Sequence, residues 1–381
     1  MNLIEKNSLK FIFLLGLVSL FGDIIYEGAR SIIGPFLSLL GASAVVVGLI
    51  VGLGEFFSYS LRLLSGYLAD RTNRYWLMIF LGYGMLLAIP LLAWTKSWKL
   101  ACFLIILERI GKAIRTPARD AILSHVTERM GRGIGFGIHE ALDQIGAIIG
   151  PLFLSFIFSL KKTYQTGFAF LFIPAIFLVI FLSLAKIKYP SFVSIEDKVF
   201  FKKEKISKNF WIYTLFSFFT VAGFINFQII SYHFKTKMIL SDINIPVFYA
   251  IAMGVDAIFA LLIGKVYDKF GLACLLILPF LNIFIPFFIF TSYTSLILVG
   301  ITIWGSVLGI QETIMRAAVA DITPLSKRGI AYGIFNTIYG LAWFLGGGLI
   351  GFLYEISLNY VILAIICLQI ISLFLWWKIK I

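Results

Sequence analysis

Several stretches of the chain, each longer than 20 residues, contain no Asp, Glu, Lys or Arg. Four of them are residues 75–95, 164–185, 209–234 and 356–377. About 20 apolar residues are enough for a helix to cross the hydrocarbon core of a bilayer. Because lipid offers no hydrogen-bond partners, the backbone of such a stretch must pair with itself. These stretches therefore predict transmembrane helices.

Composition extends this prediction to the whole chain. Of its 381 residues, 60% are hydrophobic and 13% are charged, against about 25% charged in a typical soluble domain. This composition excludes a soluble enzyme, a disordered chain and a fibrous protein. The formal net charge of +13 is expected to face a lipid bilayer rather than nucleic acid, because cytoplasmic loops of membrane proteins collect Lys and Arg.

The uncharged run 270–311 is long enough for two spans. Most of the remaining spans contain charges and are inferred from the apolar residues around them. The predicted spans number twelve and have the approximate bounds 10–40, 44–69, 75–95, 99–120, 133–160, 164–186, 209–234, 246–267, 271–291, 295–318, 329–354 and 357–378. The first is not expected to be a cleaved signal peptide, because it is too long and contains acidic and basic residues. The chain is thus predicted to be a multi-pass protein of the cell membrane.

The distribution of basic residues predicts the orientation. Of the 32 Lys and Arg, 22 fall at the termini and in the connections from even-numbered to odd-numbered spans, and six fall in the opposite loops. The positive-inside rule then places both termini in the cytoplasm. The longest polar connection, 187–208, is predicted to be a cytoplasmic linker between an N-terminal bundle, 1–186, and a C-terminal bundle, 209–381.

Two pairs of segments repeat at nearly the same displacement. Residues 66–71 and 264–269 match at a displacement of 198, and residues 132–138 and 328–334 match at 196 with five identities in seven positions. Each pair shares one side of the membrane in the predicted topology. A repeat with conserved sidedness predicts two parallel halves related by an axis along the membrane normal.

The first repeated loop carries Gly66, Asp70, Arg71 and Arg74 in the pattern Gly-x-x-x-Asp-Arg-x-x-Arg. In a 6+6 chain this pattern resembles the signature loop of the major facilitator superfamily. The resemblance implies an all-α membrane protein with twelve transmembrane helices in two six-helix bundles, working as a secondary transporter by alternating access. Asn73 replaces the glycine usual in the family, and asparagine tolerates the left-handed backbone of such a turn.

In the family, this loop is thought to latch the cytoplasmic side in the outward-open state. Asp120 is a candidate partner for the basic pair, and the alternative is that the loop is only a short cytoplasmic turn. The candidate gating residues of both copies are Gly66, Asp70, Arg71, Arg74, Asp120, Gly264, Asp268 and Lys269.

Ionisable residues inside membrane spans are costly and are functional hypotheses by default. Asp23, Glu27 and Arg30 fall on one helical face, since they are spaced at i, i+4 and i+7. Three interpretations stay open for such charges: a structural ion-pair network, a site for a charged substrate, and an acid that carries a proton. A carboxylate in a low-dielectric site binds a proton more readily than one in water. The proton candidates are Asp23, Glu27 and Asp143.

The resemblance also implies which spans line the substrate cavity, namely the first, fourth, seventh and tenth. The polar residues on these spans are the candidate cavity residues, Arg30, Glu108, Arg109, Lys112, Arg115, Asn226, Gln228, Gln311, Glu312 and Arg316.

In the fifth span, Gly146, Gly150 and Pro151 resemble an element of drug:proton antiporters. Gly-x-x-x-Gly allows close helix packing, and proline removes a helix hydrogen bond and bends the helix. These three residues are a candidate hinge, with a kinked packing helix as the alternative. The resemblance favours proton-coupled export of a small organic molecule.

Uptake or exchange of an anionic metabolite is the alternative transport function. A membrane-embedded lipid-modifying enzyme is less favoured, because the short loops offer no compact catalytic set. Neither a cofactor nor a metal site is expected, since three scattered cysteines and three histidines give no metal-ligand spacing. The expected partners are a small-molecule substrate and a proton or another coupling ion, and the chain is expected to be a monomer.

Overall fold

The computed structural model describes residues 3–127, 132–189 and 206–379. These residues form fourteen α-helices, numbered α1 to α14 in chain order: Leu3–Leu39, Ala44–Thr72, Tyr75–Leu86, Trp98–Thr127, Arg132–Ser159, Tyr164–Phe170, Phe172–Lys188, Lys208–Ala222, Phe227–Thr236, Asn244–Phe270, Ile277–Ile289, Thr294–Ile322, Arg328–Ile356 and Leu358–Trp376. Three short 3₁₀ segments accompany them, Pro90–Trp94, Gly271–Leu276 and Leu325–Lys327.

Helices occupy every stretch expected to be a span, but several are interrupted. The third continues from α3 into a 3₁₀ segment, the sixth is divided into α6 and α7, and the seventh into α8 and α9. Asn73 adopts φ of 52° in the turn between α2 and α3, which confirms the expected left-handed backbone. Most of the predicted linker 187–208 lies outside the described residues.

Ten helical segments in the described ranges are long and apolar enough to cross a membrane. One of them, Asn244–Ile289, has 46 residues, more than twice what one crossing requires, and it contains Gly271 with φ of 58°. The strongly charged α4 is not among the ten. The count of twelve spans and the location of the termini stay predictions.

The chain divides into two compact units. The first unit comprises Met1–Ile33 and Ser60–Glu196, and the second comprises Gly34–Tyr59 and Asp197–Ile381. The boundary at 196 falls inside the predicted linker, whereas α1 and α2 each contribute to both units. The division into two bundles of six helices stays a prediction.

In the first unit, α4 packs against α3 and α5, and α1 approaches α5 at glycine positions. A Cβ built on Gly150 would lie 2.5 Å from the Ile24 carbonyl oxygen and 2.8 Å from the Gly28 nitrogen. Contact at this distance between backbones requires a residue without a side chain. The predicted close packing at Gly150 is therefore confirmed, and it fixes the polar face of α1 beside α5.

In the second unit, α12 packs against α10, α11 and α13, and α8 packs against α13 and α14. The break between α8 and α9 is held by side chains. Asn226 Oδ1 accepts a hydrogen bond from the Ile229 backbone nitrogen at 2.9 Å, and Trp304 Nε1 donates to the Ile225 carbonyl at 2.8 Å. Backbone groups released by a break in a membrane helix need such partners. These two hydrogen bonds therefore stabilise the break between α8 and α9.

Candidate functional site

The polar faces of α1 and α4 meet around one buried tyrosine ring. Arg109 Cζ and Lys112 Nζ each lie 4.2 Å from the ring centroid of Tyr26, and Arg30 Cζ lies 5.3 Å from it. Arg109 also donates a hydrogen bond to the Tyr26 hydroxyl. Desolvated cation–π contacts are worth about 2 kcal/mol. The ring thus brings three of the predicted cavity residues together.

Acidic side chains of the same two helices pair with these cations. Glu108, which is 1% exposed, lies 3.4 Å from Arg109 Nε and 3.7 Å from Arg115 Nη2. Glu27 Oε1 lies 3.3 Å from Arg30 Nη1. Buried charges tolerate low dielectric only when they are paired. This geometry agrees with the structural interpretation of these five residues, and their roles in substrate binding stay predictions.

Two carboxylates, one on α1 and one on α5, lie in the same polar region of the first unit. The Asp23 side chain lies within electrostatic range of Asp143, and Lys112 of α4 lies near both. Asp143 Oδ2 is 3.9 Å from Arg119 Nη1, and Asp143 Oδ1 is 3.9 Å from His139 Nδ1. The two acids and the basic side chains around them therefore form one polar cluster in the first unit.

Ser19 links the Asp143 environment to α1, α3 and α4. Its Oγ accepts a hydrogen bond from Arg119 Nη1 at 2.8 Å and lies 3.4 Å from His139 Nε2 and 3.5 Å from Tyr83 Oη. The sequence interpretation omitted Ser19. Its position four residues before Asp23 extends the polar face of α1 by one helical turn, and this spacing is the signal that identifies it.

The hinge candidates lie where α1 and α5 approach most closely. A Cβ on Gly146 would lie 2.5 Å from the Leu20 carbonyl oxygen and 3.1 Å from Asp23 Cβ. Pro151 lies inside α5, directly after Gly150. Any shift of α5 would therefore move the surroundings of Asp23, although the hinge function of these residues stays a prediction.

The first copy of the repeated loop is exposed, and its side chains form local hydrogen bonds. Tyr75 Oη donates to Asp70 Oδ1 at 2.8 Å, and Arg71 Nη1 donates to Tyr67 Oη at 3.4 Å. Arg74 is exposed at the end of the loop. A Cβ on Gly66 would lie 3.4 Å from Pro117 Cβ of α4, which is ordinary contact and would permit a small side chain.

Asp120, the expected partner of Arg71 and Arg74, makes its ion pair with Arg119 at 3.0 Å. In the second copy of the loop, Asp268 and Lys269 are exposed, and Gly264 has open space where a Cβ would stand. The latch function of both copies stays a prediction.

The cavity candidates of the second unit differ in exposure. Asn226, Gln228 and Gln311 are each 1% exposed, whereas Glu312 and Arg316 are exposed. Asn226 has a structural role as the cap of α9. Gln228 Oε1 and both polar atoms of the Gln311 side chain have no hydrogen-bond partner among the described residues. Unsatisfied buried amides are uncommon in native folds and require an explanation.

Gln311 borders a narrow crevice within the second unit. The crevice is lined by Tyr59, Gln311, Glu312, Met315, Arg316, Phe335, Asn336 and Tyr339. The Tyr59 and Tyr339 rings meet edge to face at 4.9 Å between centroids, and Arg316 Cζ lies 5.8 Å from the Tyr59 centroid. Gln311, Glu312 and Arg316 were predicted from the sequence, whereas Asn336 and the aromatic residues were not.

Tyr26, Tyr59 and Tyr339 were missed because a chain rich in aromatic residues gives no composition signal for any one of them. For Tyr26 the position between Asp23 and Glu27 on a polar face was an available signal. Tyr59 and Tyr339 come together only through the packing of α2 on α13, which local spacing does not encode. Within the described ranges, no group of three His, Cys, Asp or Glu side chains could hold a metal ion.

The amino-acid sequence matches a known family and several known proteins. The family model described as Major Facilitator Superfamily matches residues 19–347. An uncharacterized protein of Mycobacterium tuberculosis is 38% identical over 380 residues, covering 97% of this chain and 93% of its own length. An uncharacterized MFS-type transporter of Methanocaldococcus jannaschii is 30% identical over 367 residues, covering 93% of this chain and 90% of its own length.

Solved structures share the fold at low sequence identity. The crystal structure of the nucleoside transporter NupG superposes with a TM-score of 0.74 at 14% identity, covering 97% of this chain and 98% of that one. At this identity the likeness concerns the fold alone.

Proposed function

The chain belongs to the major facilitator superfamily, and from this premise we propose that it is a proton-coupled secondary transporter that exports a small organic molecule by alternating access. It is a multi-pass integral membrane transporter and not an enzyme, as its family and its structural relatives are transporters. The proposal includes twelve spans in two six-helix halves, cytoplasmic termini, a location in the cell membrane and a monomeric state.

The observation that carries proton coupling is the neighbouring pair Asp23 and Asp143. No salt bridge to the Asp23 carboxylate is found within the described ranges, whereas Glu27 pairs with Arg30 at 3.3 Å. A carboxylate without a matched cation in a membrane interior is expected to take up a proton and to release it when water reaches the site. Asp23 is therefore a stronger proton candidate than Glu27, and Asp143, which lies 3.9 Å from Arg119, is proposed as its neighbouring acid.

Export is the proposed direction because of the antiporter-like element Gly146, Gly150 and Pro151. These residues lie on α5 within one or two turns of Asp143, and Gly146 and Gly150 contact the segment of α1 that carries Asp23. A rocking motion that bends α5 would change the surroundings of both carboxylates together. Such a link between helix motion and proton release is what antiport requires.

A second candidate function is uptake or exchange of an anionic metabolite. It is favoured by the three cations around Tyr26, namely Arg30, Arg109 and Lys112, because cationic side chains inside a membrane protein attract anionic groups. Uptake of the substrate into vesicles that is driven by an inward proton gradient would favour this candidate over export.

Proton movement in proteoliposomes tests the leading proposal. The full chain is reconstituted with an internal pH-sensitive dye, and nucleosides and lipophilic organic cations are added in turn as trial substrates. We expect at least one compound to drive proton flux through the wild type. Asp23→Asn and Asp143→Asn should bind that compound and lose the flux, whereas Glu27→Gln should keep part of it. Undiminished coupled flux in all three variants would overturn the assignment.

A further inference from the structure

The strongest unexplained feature of the second unit is the Gln311 side chain. Both its Nε2 and its Oε1 are buried without a hydrogen-bond partner, and among the described residues no other side chain has both polar atoms of an amide in this state. An unpaired buried amide costs free energy, and its presence in a native fold requires an explanation.

The crevice beside Gln311 is lined by aromatic and polar side chains. Its aromatic members are Tyr59, Phe335 and Tyr339, which are 8%, 2% and 6% exposed. The Phe335 and Tyr339 rings lie 5.8 Å apart at an interplanar angle of 35°. The Gln311 amide therefore borders three aromatic rings, and none of the polar side chains that also line the crevice, Glu312, Arg316 and Asn336, hydrogen-bonds to it.

We propose that Gln311 and this aromatic wall form a recognition site for a flat, uncharged heterocycle that carries an adjacent N–H and C=O. A glutamine amide presents one acceptor and two donors, and it pairs with such an edge through two hydrogen bonds. Aromatic side chains favour a flat ring in offset or edge-to-face contact. Both features of the site thus select the same ligand chemistry.

The proposal rests on the proposed transport function, because the crevice is narrow in this structure and a ligand enters when the lining helices separate during the cycle. Glu312 and Arg316 are exposed beside the crevice. They keep its entrance hydrated while the amide end stays buried. Gln311 accordingly determines which ligands are accepted, and the carboxylates of the first unit determine whether protons move.

The test uses 2-pyridone, a flat ring with an adjacent N–H and C=O, and N-methyl-2-pyridone, which has the same ring without the donor. Affinities are measured by isothermal titration calorimetry on the full chain in lipid nanodiscs, with empty nanodiscs subtracted. We expect 2-pyridone to bind about tenfold more tightly, as expected for a hydrogen bond lost from a buried site. Equal affinities, or no binding of 2-pyridone, would overturn the proposal.

Two variants of Gln311 test whether this residue causes the preference for 2-pyridone. Gln311→Leu and Gln311→Met should bind both probes with equal affinity, and their melting temperatures should not fall, since no hydrogen bond is lost. The matched control is Gln369→Leu, another fully buried amide, whose Nε2 donates to the Thr220 carbonyl at 3.1 Å. It should melt at a lower temperature and keep the tenfold preference. A preference that persists without the Gln311 amide rules the site out.

The two proposals fail separately. Proton-coupled flux that depends on Asp23 and Asp143, together with no preference between the pyridones, would remove the Gln311 site and leave the transport function. A preference that depends on Gln311, together with no proton flux, would remove proton coupling and leave the recognition site.

Discussion

The two units solve the problem of polar groups in a membrane interior in different ways. The first unit uses ionisable side chains in pairs, as in Glu108 with Arg109 and Arg115. The second unit buries the acids Glu55 and Asp256, and its neutral amides Asn226 and Gln369 bond to backbone groups near a helix break. Paired charges can trade partners or protons, whereas neutral amides fix geometry. The proposed proton carriers Asp23 and Asp143 lie in the first unit, and the proposed recognition site at Gln311 lies in the second.

Close helix packing at glycines occurs in both units. Gly150 in the first unit and Gly309 in the second both bring helix backbones close, with a built Cβ 2.5 Å from a carbonyl oxygen in each case. The two units therefore differ in how their polar groups are paired, while their helices pack in a similar way. Substitutions that change charge and substitutions that change packing can test this difference separately.

The largest expected effect comes from removing a buried charge of the first unit. Glu108→Gln keeps the size of the side chain and leaves Arg109 and Arg115 without their anion. Breaking a buried ion pair costs about 3–5 kcal/mol, so we expect a loss of this size in the free energy of unfolding. Thermal and denaturant unfolding in detergent, followed by tryptophan fluorescence, measures it.

Asp120→Asn is the matched control for Glu108→Gln. It removes the same charge from the ion pair with Arg119 at 3.0 Å, but the Asp120 side chain is 42% exposed. Solvent screening limits such pairs to about 1 kcal/mol or less. Equal losses in both variants would show that burial of charge is not what stabilises the first unit.

A smaller effect is expected from glycines that bring helices together in either unit. Gly150→Ala and Gly309→Ala each place a methyl group against backbone atoms, and overpacking of this kind costs about 1–3 kcal/mol. We expect similar losses of unfolding free energy in both units. Gly137→Ala in α5 is the control, because a Cβ there has open space and alanine favours helix by about 0.5–1 kcal/mol. A loss in one unit only would contradict the shared packing scheme.

The sequence predicted features that local rules determine. Apolar runs of sufficient length gave the helices, a turn position gave the left-handed Asn73, and glycine spacing gave the close contact at Gly150. Helical spacing also identified the polar faces of α1 and α4, because the side chains of one face follow from the 3.6-residue period.

The ion-pair partner of a charged side chain could not be predicted from local spacing. Asp120 pairs with Arg119 instead of the loop arginines, since helix rotation and side-chain direction decide which charges meet. The crevice beside Gln311 also escaped prediction, because Tyr59 and Tyr339 are distant in sequence and meet only in the folded chain. Long-range packing is the information that a single sequence does not carry.

The break between α8 and α9 gives the finest test of the comparison, because it concerns one neutral group in the second unit. The expected span 209–234 was continuous, yet Asn226 begins a new helix there. Asn226→Ala removes the oxygen that accepts a hydrogen bond from the Ile229 nitrogen at 2.9 Å. Loss of such a cap costs about 1 kcal/mol, and we expect a decrease of this size in the free energy of unfolding.

Asn226→Ser separates the cap from the rest of the side chain. Serine is as good a cap as asparagine, and Asn226 Nδ2 has no hydrogen-bond partner among the described residues, so serine should restore most of the lost stability. Equal losses for alanine and serine would mean that Asn226 stabilises the break by filling space. In that case the second unit would depend on packing rather than on neutral hydrogen bonds, and the contrast with the ion pairs of the first unit would have to be redrawn.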